Sequence, residues 1–314
     1  MIRAAYLAAP GFEAQLAACA DRHGVGLDTW HGPLALSADP ARPLPWAQDV
    51  WIEPAEMAPA AALAAMRAAR IPWAALPWAA RAGPHGTATL SLAARLPRAG
   101  TGRTAFPCRL PERSGAFTLL AEDRVLLAAR RQSPFPNGEA RFQESREAPS
   151  RAYLKLWEAL TILGAHPGPG DLCYDLGAAP GGWSWVAASL SARVVAIDRA
   201  PLAPSVAAML GVRHRGESAF GIDPRKEPRI DWLLCDVIAY PPRTLGLVRR
   251  WLDAGRAARI IASVKFQGPT DHDSIAAFEA IPGGRLVHLS HNRHELTFLW
   301  PAPALPLNSD ANGA

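Results

Sequence analysis

Short apolar runs alternate with amphipathic stretches along the second half of the chain, and this alternation constrains the fold more than any other feature. The apolar runs predict strands at Leu172–Leu176, Val194–Ile197, Ile230–Cys235, Ile260–Phe266, Leu286–Leu289 and Leu296–Trp300. Helical stretches are predicted at Ser150–Leu163, Trp183–Ser189, Arg243–Ala254 and Ser274–Ala280. Strands separated by helices are typical of an α/β fold with a parallel sheet. The final strand follows its neighbour after a few residues, so we expect it to be antiparallel, because a parallel return needs a crossover of about a dozen residues.

Residues 1–147 show a less regular pattern. Predicted strands and helices lie at Ile2–Ala8, Phe12–Arg22, Asp49–Ile52, Ala58–Arg70, Ala116–Ala121 and Arg124–Ala129. A region rich in Pro, Gly and Arg covers residues 93–113, and the turn-forming run at 133–138 predicts the start of an interdomain linker. At about 100–200 residues per domain, a chain of 314 residues suggests two domains.

Composition excludes several classes of protein. The hydrophobic fraction of 49% is that of a globular protein and argues against general disorder. The four cysteines are scattered without a CxxC pair, so we expect reduced thiols and no zinc site. No run suits a signal peptide or a membrane span, and we expect a cytoplasmic protein. The net charge of +5 permits an anionic partner such as nucleic acid but does not establish one.

The segment DLGAAPGGW (175–183) joins the first strand of the second half to the next helix. Glycines there let the backbone approach a ligand, and the helix N-terminus offers free N–H groups. Asp198 ends the following strand, where a carboxylate can accept both ribose hydroxyls. The segment has neither GxGxxG nor GK[ST], so S-adenosylmethionine fits it better than a ligand with a pyrophosphate; a tight turn with an incidental acid is the alternative. The predicted cofactor contacts are Gly177, Ala179, Pro180, Gly181, Gly182, Trp183 and Asp198.

These residues resemble motif I of the FtsJ-like RNA ribose 2′-O-methyltransferases. The resemblance extends to PSRAYLKLWEAL (149–160), DWLLCD (231–236), SVK (263–265) and NRHELT (292–297). Within that family, the chain is most similar to the bacterial 23S rRNA cytidine 2′-O-methyltransferases, and PGFE (10–13) and SPF (133–135) support this. The resemblance implies a Rossmann-like class I methyltransferase sheet and S-adenosylmethionine as the cofactor.

The resemblance also implies a catalytic Lys-Asp-Lys-Glu tetrad at Lys155, Asp236, Lys265 and Glu295. A ribose 2′-hydroxyl is a poor nucleophile, so its attack on a sulfonium methyl needs a base and close alignment. Lys265 is the predicted base, because a lysine can lose its proton when a neighbouring cation and partial burial lower its pKa. Lys155 would supply that cation. Asp236 and Glu295 would hold the ammonium groups, and Asp236 would also lie near the methionine end of the cofactor.

Lysine is rare in this chain. Of 33 basic residues only Lys155, Lys226 and Lys265 are lysine. Because arginine does not deprotonate in proteins, the two lysines on tetrad positions suggest that a titratable amine is required there. Lys226 lies in a charged loop and has no predicted role.

The chain departs from the family pattern in three places. A family Ser three residues before the first tetrad lysine is Ala152 here. The adenine-contacting Asp of the family falls on Ser218, next to Glu217, and either side chain could bond the adenine amino group. The family's THUMP RNA-binding region is shortened here. The resemblance therefore implies a ferredoxin-like subdomain at 1–80, a reduced THUMP-like region and linker at 81–147, a methyltransferase domain at 148–301 and a flexible tail at 302–314.

The predicted function is 2′-O-methylation of an RNA ribose, at a cytidine of 23S rRNA, by a monomer that binds neither DNA nor membrane. The alternatives are the same chemistry on another RNA, an RNA-binding module with an inactive methyltransferase domain, and a nicotinamide dehydrogenase, which Ala179 and Pro180 disfavour. His288, His291 and His294 cluster near Glu295, but no cysteine is near them in sequence, and we expect no metal site.

Overall fold

The computed structural model describes residues 1–76, 86–96, 102–108, 110 and 113–303. These residues form two compact units, 1–141 and 142–303. The predicted tail lies outside the described residues from 304 onward. Cys19, Cys173 and Cys235 are buried and Cys108 is partly exposed, and no disulfide joins them. In the described ranges, no helix combines the length and the apolar character that crossing a lipid bilayer requires.

The first unit contains two β-sheets. Its strands are β1 (Ala4–Ala8), β2 (Thr29–His31), β3 (Leu34–Ser37), β4 (Ala47–Ile52), β5 (Ala55–Met57), β6 (Trp73–Ala75), β7 (Gly115–Ala121), β8 (Arg124–Ala128) and β9 (Arg130–Arg131). The helices described in it are α1 (Glu13–Arg22), α2 (Pro59–Ala68) and α3 (Gly86–Ala93). One sheet has the order β2-β3-β1-β4-β9 and is antiparallel, and the other has the order β5-β8-β7-β6 with a parallel β6–β7 pair.

Each sheet of this unit combines strands from both sides of residue 80, where we placed a boundary. In the smaller sheet, β5 and β6 pair with β8 and β7, and in the larger one β9 pairs with β4. A buried ion pair of 3.0 Å between Arg131 and Asp49 reinforces the β4–β9 contact. The ferredoxin-like and THUMP-like assignments stay predictions.

The second unit is a seven-stranded sheet with helices between its strands. Its strands are β10 (Leu172–Leu176), β11 (Arg193–Ile197), β12 (Val212–Arg215), β13 (Ile230–Cys235), β14 (Ala257–Lys265), β15 (Arg285–Val287) and β16 (Glu295–Trp300). Its helices are α4 (Tyr153–Leu163), α5 (Gly182–Ser189), α6 (Pro204–Ala207), α7 (Pro241–Asp253) and α8 (His272–Glu279). The strand order is β12-β11-β10-β13-β14-β16-β15. Strands β10 to β14 are parallel and β16 is antiparallel to both neighbours, which confirms the predicted α/β class and the antiparallel final strand.

The sheet of the second unit winds in opposite directions from β10. The chain first adds β11 and β12 on one side and then returns to add β13 and β14 on the other. In open α/β sheets, ligands bind at such a switch point, in the crevice beyond the carboxyl ends of the strands. The crevice between β10 and β13 is therefore where this fold places a ligand.

Candidate active site

One carboxylate holds two lysines at the carboxyl end of β13. The Oδ1 atom of Asp236 lies 2.9 Å from Nζ of Lys155 and 2.9 Å from Nζ of Lys265. Nζ of Lys155 also donates to Oε1 of Glu295 at 3.1 Å, and Nζ of Lys265 donates to the backbone oxygen of Asp236 at 2.6 Å. The structure thus brings the four predicted tetrad residues into one connected cluster.

The fold explains why residues so far apart in sequence meet here. Asp236 directly follows β13 and Lys265 is the last residue of the parallel strand β14, so both lie at the same edge of the sheet. Glu295 opens β16, and its register partner across the antiparallel pair is Lys265. Lys155 reaches the cluster from α4, a helix that is buried along most of its length.

The charges in this cluster shift one another's titration. Burial alone lowers the pKa of Lys155, but the charges of Asp236 and Glu295 outweigh it and raise that pKa above its usual value. Burial alone raises the pKa of Asp236, but Lys155 and Lys265 hold it below its usual value. Lys155 is therefore an ammonium group and Asp236 a carboxylate near neutral pH.

The glycine loop brings its backbone close to the strand that carries Asp236. Gly177 has φ +78°, and a Cβ there would lie 2.8 Å from the Cα of Val237. Gly181, at φ +114°, is the residue before α5, and a Cβ at Gly182 would lie 2.6 Å from Oγ of Ser150. Side chains larger than hydrogen would therefore push the loop away from its neighbours.

A cavity of about 410 Å³ opens between this loop and the tetrad. Its size falls within the range of small-molecule sites. Nine of the ten predicted cofactor contacts line it: Gly177, Ala179, Pro180, Gly182, Trp183, Asp198, Glu217, Ser218 and Asp236. Gly181 is absent from the lining. Lys265 also faces the cavity, so the base that we predicted and the cofactor residues share one space.

The polar side chains of the cavity are already oriented by local contacts. Asp198 accepts the backbone N–H groups of Ala179 and Ala200, at 3.1 and 2.9 Å, which fixes its carboxylate at the end of β11. Ser218 accepts the N–H of Phe220 at 3.3 Å, and Glu217 pairs with Arg215. The indole of Trp183 donates to the backbone oxygen of Ala152 at 2.9 Å.

Asp175 is a further carboxylate that sequence reasoning left without a role. It is fully buried at the end of β10 and lines the cavity. Burial raises its pKa to about 7, although Ser184 donates to its Oδ2 at 2.7 Å. Its Oδ1 is buried and has no hydrogen-bond partner in the structure, which leaves one acceptor for a ligand. The sequence signal that would have identified it is an acid inside an otherwise apolar strand.

The three clustered histidines have separate partners. His288 contacts the backbone oxygen of Arg293, His294 contacts Thr270, and His291 pairs with Glu158. The residues that the structure describes contain no group of three or more His, Cys, Asp or Glu side chains able to hold a metal ion. Glu158, one helical turn beyond Lys155, was not predicted from the sequence, although it is a charged residue in a largely apolar, buried stretch of α4.

Comparisons with known proteins agree with this geometry. Residues 148–263 match the family described as FtsJ-like methyltransferase. Proteins named ribosomal RNA large subunit methyltransferase M are among the relatives. The one from Alkalilimnicola ehrlichii is 38% identical over 62% of this chain and 59% of its own length, and the one from Halorhodospira halophila is 39% identical over 52% and 50%. The matches thus span only about half to three fifths of these relatives.

Proposed function

We propose that this chain transfers a methyl group from S-adenosylmethionine to the 2′-hydroxyl of an RNA ribose, a proposal that the match of residues 148–263 to the FtsJ-like methyltransferase family supports. The observation that carries this proposal is the single carboxylate oxygen of Asp236 that holds both Lys155 and Lys265 at the cavity. Two amines on one oxygen are suited to a hydroxyl substrate, which needs one group to orient it and another to accept its proton.

The cavity residues fit this cofactor. Asp198 presents a carboxylate suited to the ribose hydroxyls, and the backbone at Gly177 leaves room where a side chain would clash. The unpartnered Oδ1 of Asp175 can accept a hydrogen bond from the cofactor's ammonium group. Ser218 and Glu217 also line the cavity, and we propose that they bind the adenine amino group. When bound, S-adenosylmethionine supplies an electrophilic methyl group on a sulfonium centre.

The two lysines divide the remaining work. Because both amines lie 2.9 Å from the same oxygen, they are within twice that distance of each other. Lys155 keeps its proton, since two carboxylates raise its pKa, and it orients the hydroxyl. Lys265 would accept the proton of the hydroxyl, while the bound cofactor would supply the methyl group by breakage of its methyl–sulfur bond and would leave as S-adenosylhomocysteine.

The substrate that we propose is large-subunit ribosomal RNA, methylated at a cytidine. The names of the relatives support the RNA class, and the net charge of +5 is compatible with a polyanion. We propose that the first unit positions this RNA through contacts to its backbone, and that the protein acts as a monomer in the cytoplasm.

Methyl transfer from labelled S-adenosylmethionine to unmodified 23S rRNA, transcribed in vitro, tests the function. Mapping the 2′-O-methylated nucleotide identifies the target. Lys265→Ala and Lys265→Arg should both abolish transfer, because neither side chain can accept the proton. Lys226→Ala is the matched control, since Lys226 is the one lysine outside the cluster. Wild-type protein that binds the cofactor but methylates no RNA would indicate an inactive domain, and full activity of Lys265→Ala would exclude Lys265 as the base.

A further inference from the structure

Two large apolar side chains lie exposed next to the tetrad. Ile238 is 82% exposed and Tyr240 is 61% exposed, and both follow Asp236 within four residues. Over the ranges that the structure describes, the other exposed large hydrophobic residues are Met1 and Leu210, which are not near this segment in sequence. Because exposed apolar side chains that occur together mark binding surfaces, this pair requires an explanation.

The backbone beneath the pair is anchored. Val237 and Ala239, which alternate with the two exposed residues, are buried. The carbonyl oxygen of Tyr240 accepts the N–H groups of Arg243 and Thr244, at 3.0 and 3.3 Å, so Tyr240 caps the start of α7 with its backbone. An anchored backbone therefore keeps the two side chains exposed to solvent before any ligand binds, as in a preformed binding surface.

We propose that Ile238 and Tyr240 form a platform for the base of the methylated nucleotide, an inference that rests on the function proposed above. The 2′-hydroxyl must reach Lys265, and the base is attached to the neighbouring ribose carbon, so it lies only a few bonds from the tetrad. Ile238 lines the same cavity as Lys265, and Tyr240 is two residues further along the chain. RNA-binding proteins hold unpaired bases on aromatic and apolar side chains in this way.

The surroundings favour RNA over a protein partner. Arg199 lines the same cavity as Ile238, so a cation flanks the apolar surface. A nucleotide combines an apolar base face with an anionic phosphate and matches both features, because phosphate contacts position a nucleic acid while base contacts specify it. An apolar protein surface would leave this cation unmatched.

The first experiment compares Tyr240→Ala with Leu210→Ala, which removes a side chain that is 98% exposed away from the site. Tyr240→Ala should raise the KM for in vitro transcribed 23S rRNA about 5- to 150-fold, the range expected for one lost base–aromatic stack. Its affinity for S-adenosylmethionine should not change, and Leu210→Ala should behave as wild type. Tyr240→Phe, which keeps the ring, should lose far less than Tyr240→Ala. Folding should be intact in each, because the cap of α7 is a backbone group.

The second experiment removes the base. An RNA oligonucleotide that contains the mapped nucleotide is compared with one that carries an abasic ribose there. The abasic substitution should weaken binding to wild type about as much as Tyr240→Ala does, and should weaken binding to Tyr240→Ala little further.

Equal KM and RNA affinity for wild type and Tyr240→Ala would overturn the platform, as would a Tyr240→Ala variant that loses only self-association in sedimentation. If wild type transfers no methyl group, the proposed function fails, and binding of the full 23S rRNA to the two proteins still tests the platform.

Discussion

The Oε2 atom of Glu158 lies 2.7 Å from Nδ1 of His291, which ties the helix that carries Lys155 to the loop that leads into Glu295. Glu158 is only 1% exposed, and its Oε1 also accepts the N–H of Ser290 at 2.7 Å. We therefore expect Glu158 to help position Glu295 relative to Lys155.

Glu158→Gln should lower both stability and methyl transfer. The substitution replaces an acceptor oxygen with an NH₂ group that faces other donors, and a buried donor left unsatisfied costs about 1–3 kcal/mol. Urea unfolding measures the loss of stability. Steady-state kinetics with RNA measure the loss of methyl transfer, which we expect to lower kcat and to leave KM unchanged. Glu144→Gln, at an exposed ion pair with Arg151, should change stability by less than about 0.5 kcal/mol. If Glu158→Gln matched wild type in both measurements, the contact would have no positioning role.

Sequence patterns predicted the sheet well where burial dictates the residues. Leu172–Leu176 and Ile230–Cys235 are strands with the predicted bounds, because strands covered on both faces are continuous apolar runs. The edge strand Val212–Arg215 was missed, since it is partly exposed and carries two arginines and a histidine. The short helix Pro204–Ala207 was also missed, because four residues show no period.

Sequence could likewise place some residues of the site but not others. Asp236, Lys265 and Glu295 could be placed at one edge, because strand ends follow from topology. The reach of Lys155 depends on how α4 packs, which sequence does not give, and the distance of 2.9 Å to Asp236 comes only from the structure. Ile238 and Tyr240 gave no sequence signal, because exposure of apolar residues follows from tertiary packing.

Lys155→Met should destabilise the protein by about 3–5 kcal/mol, because it leaves two carboxylates with one cation fewer in a largely buried cluster. The pKa of Lys155 is higher in the folded state than its unfolded value of 10.5. Its contribution to the free energy of unfolding is therefore complete below pH 10.5 and is lost as pH rises through the folded-state pKa. The stabilisation by Asp236, whose pKa is lowered, is complete above 3.8 and is lost as pH falls through the folded value.

Urea unfolding from pH 3 to pH 11 checks this prediction. The difference in the free energy of unfolding between wild type and Lys155→Met should be constant between pH 3.8 and pH 10.5, the unfolded pKa values of Asp236 and Lys155. Outside this range the difference should become smaller. Lys226→Met is the matched control and should differ from wild type by less than about 0.5 kcal/mol. A difference that does not depend on pH would mean that lost packing, and not charge, explains the effect.

The free energy of unfolding of Asp175→Asn should increase relative to that of wild type as pH rises. Burial raises the pKa of Asp175 from 3.8 to about 7, so the folded state binds a proton that the unfolded state has released, and wild-type stability falls between these values. Asparagine has no charge to bury and can still accept the hydroxyl of Ser184. Unfolding at pH 5 and pH 8 measures the change, which should amount to a few kcal/mol at most. A constant difference between the two pH values would contradict the assigned titration, and weaker S-adenosylmethionine binding by Asp175→Asn would support its place in the cofactor site.

A comparison of Gly177→Ala with Gly164→Ala distinguishes the cost of backbone strain from the cost of a steric clash between the glycine loop and Val237. Both glycines have positive φ, +78° and +65°, but a Cβ at Gly164 has no atom within 4 Å, while one at Gly177 would lie 2.8 Å from the Cα of Val237. Gly164→Ala should therefore cost about 1 kcal/mol from backbone conformation alone. Gly177→Ala should cost about 1–3 kcal/mol more, because backbone atoms must shift. It should also weaken S-adenosylmethionine binding at least about tenfold in calorimetric titration, whereas Gly164→Ala should bind as wild type does. Equal stability loss in the two variants, with unchanged cofactor binding in both, would show that the contact between the glycine loop and Val237 does not shape the cofactor site.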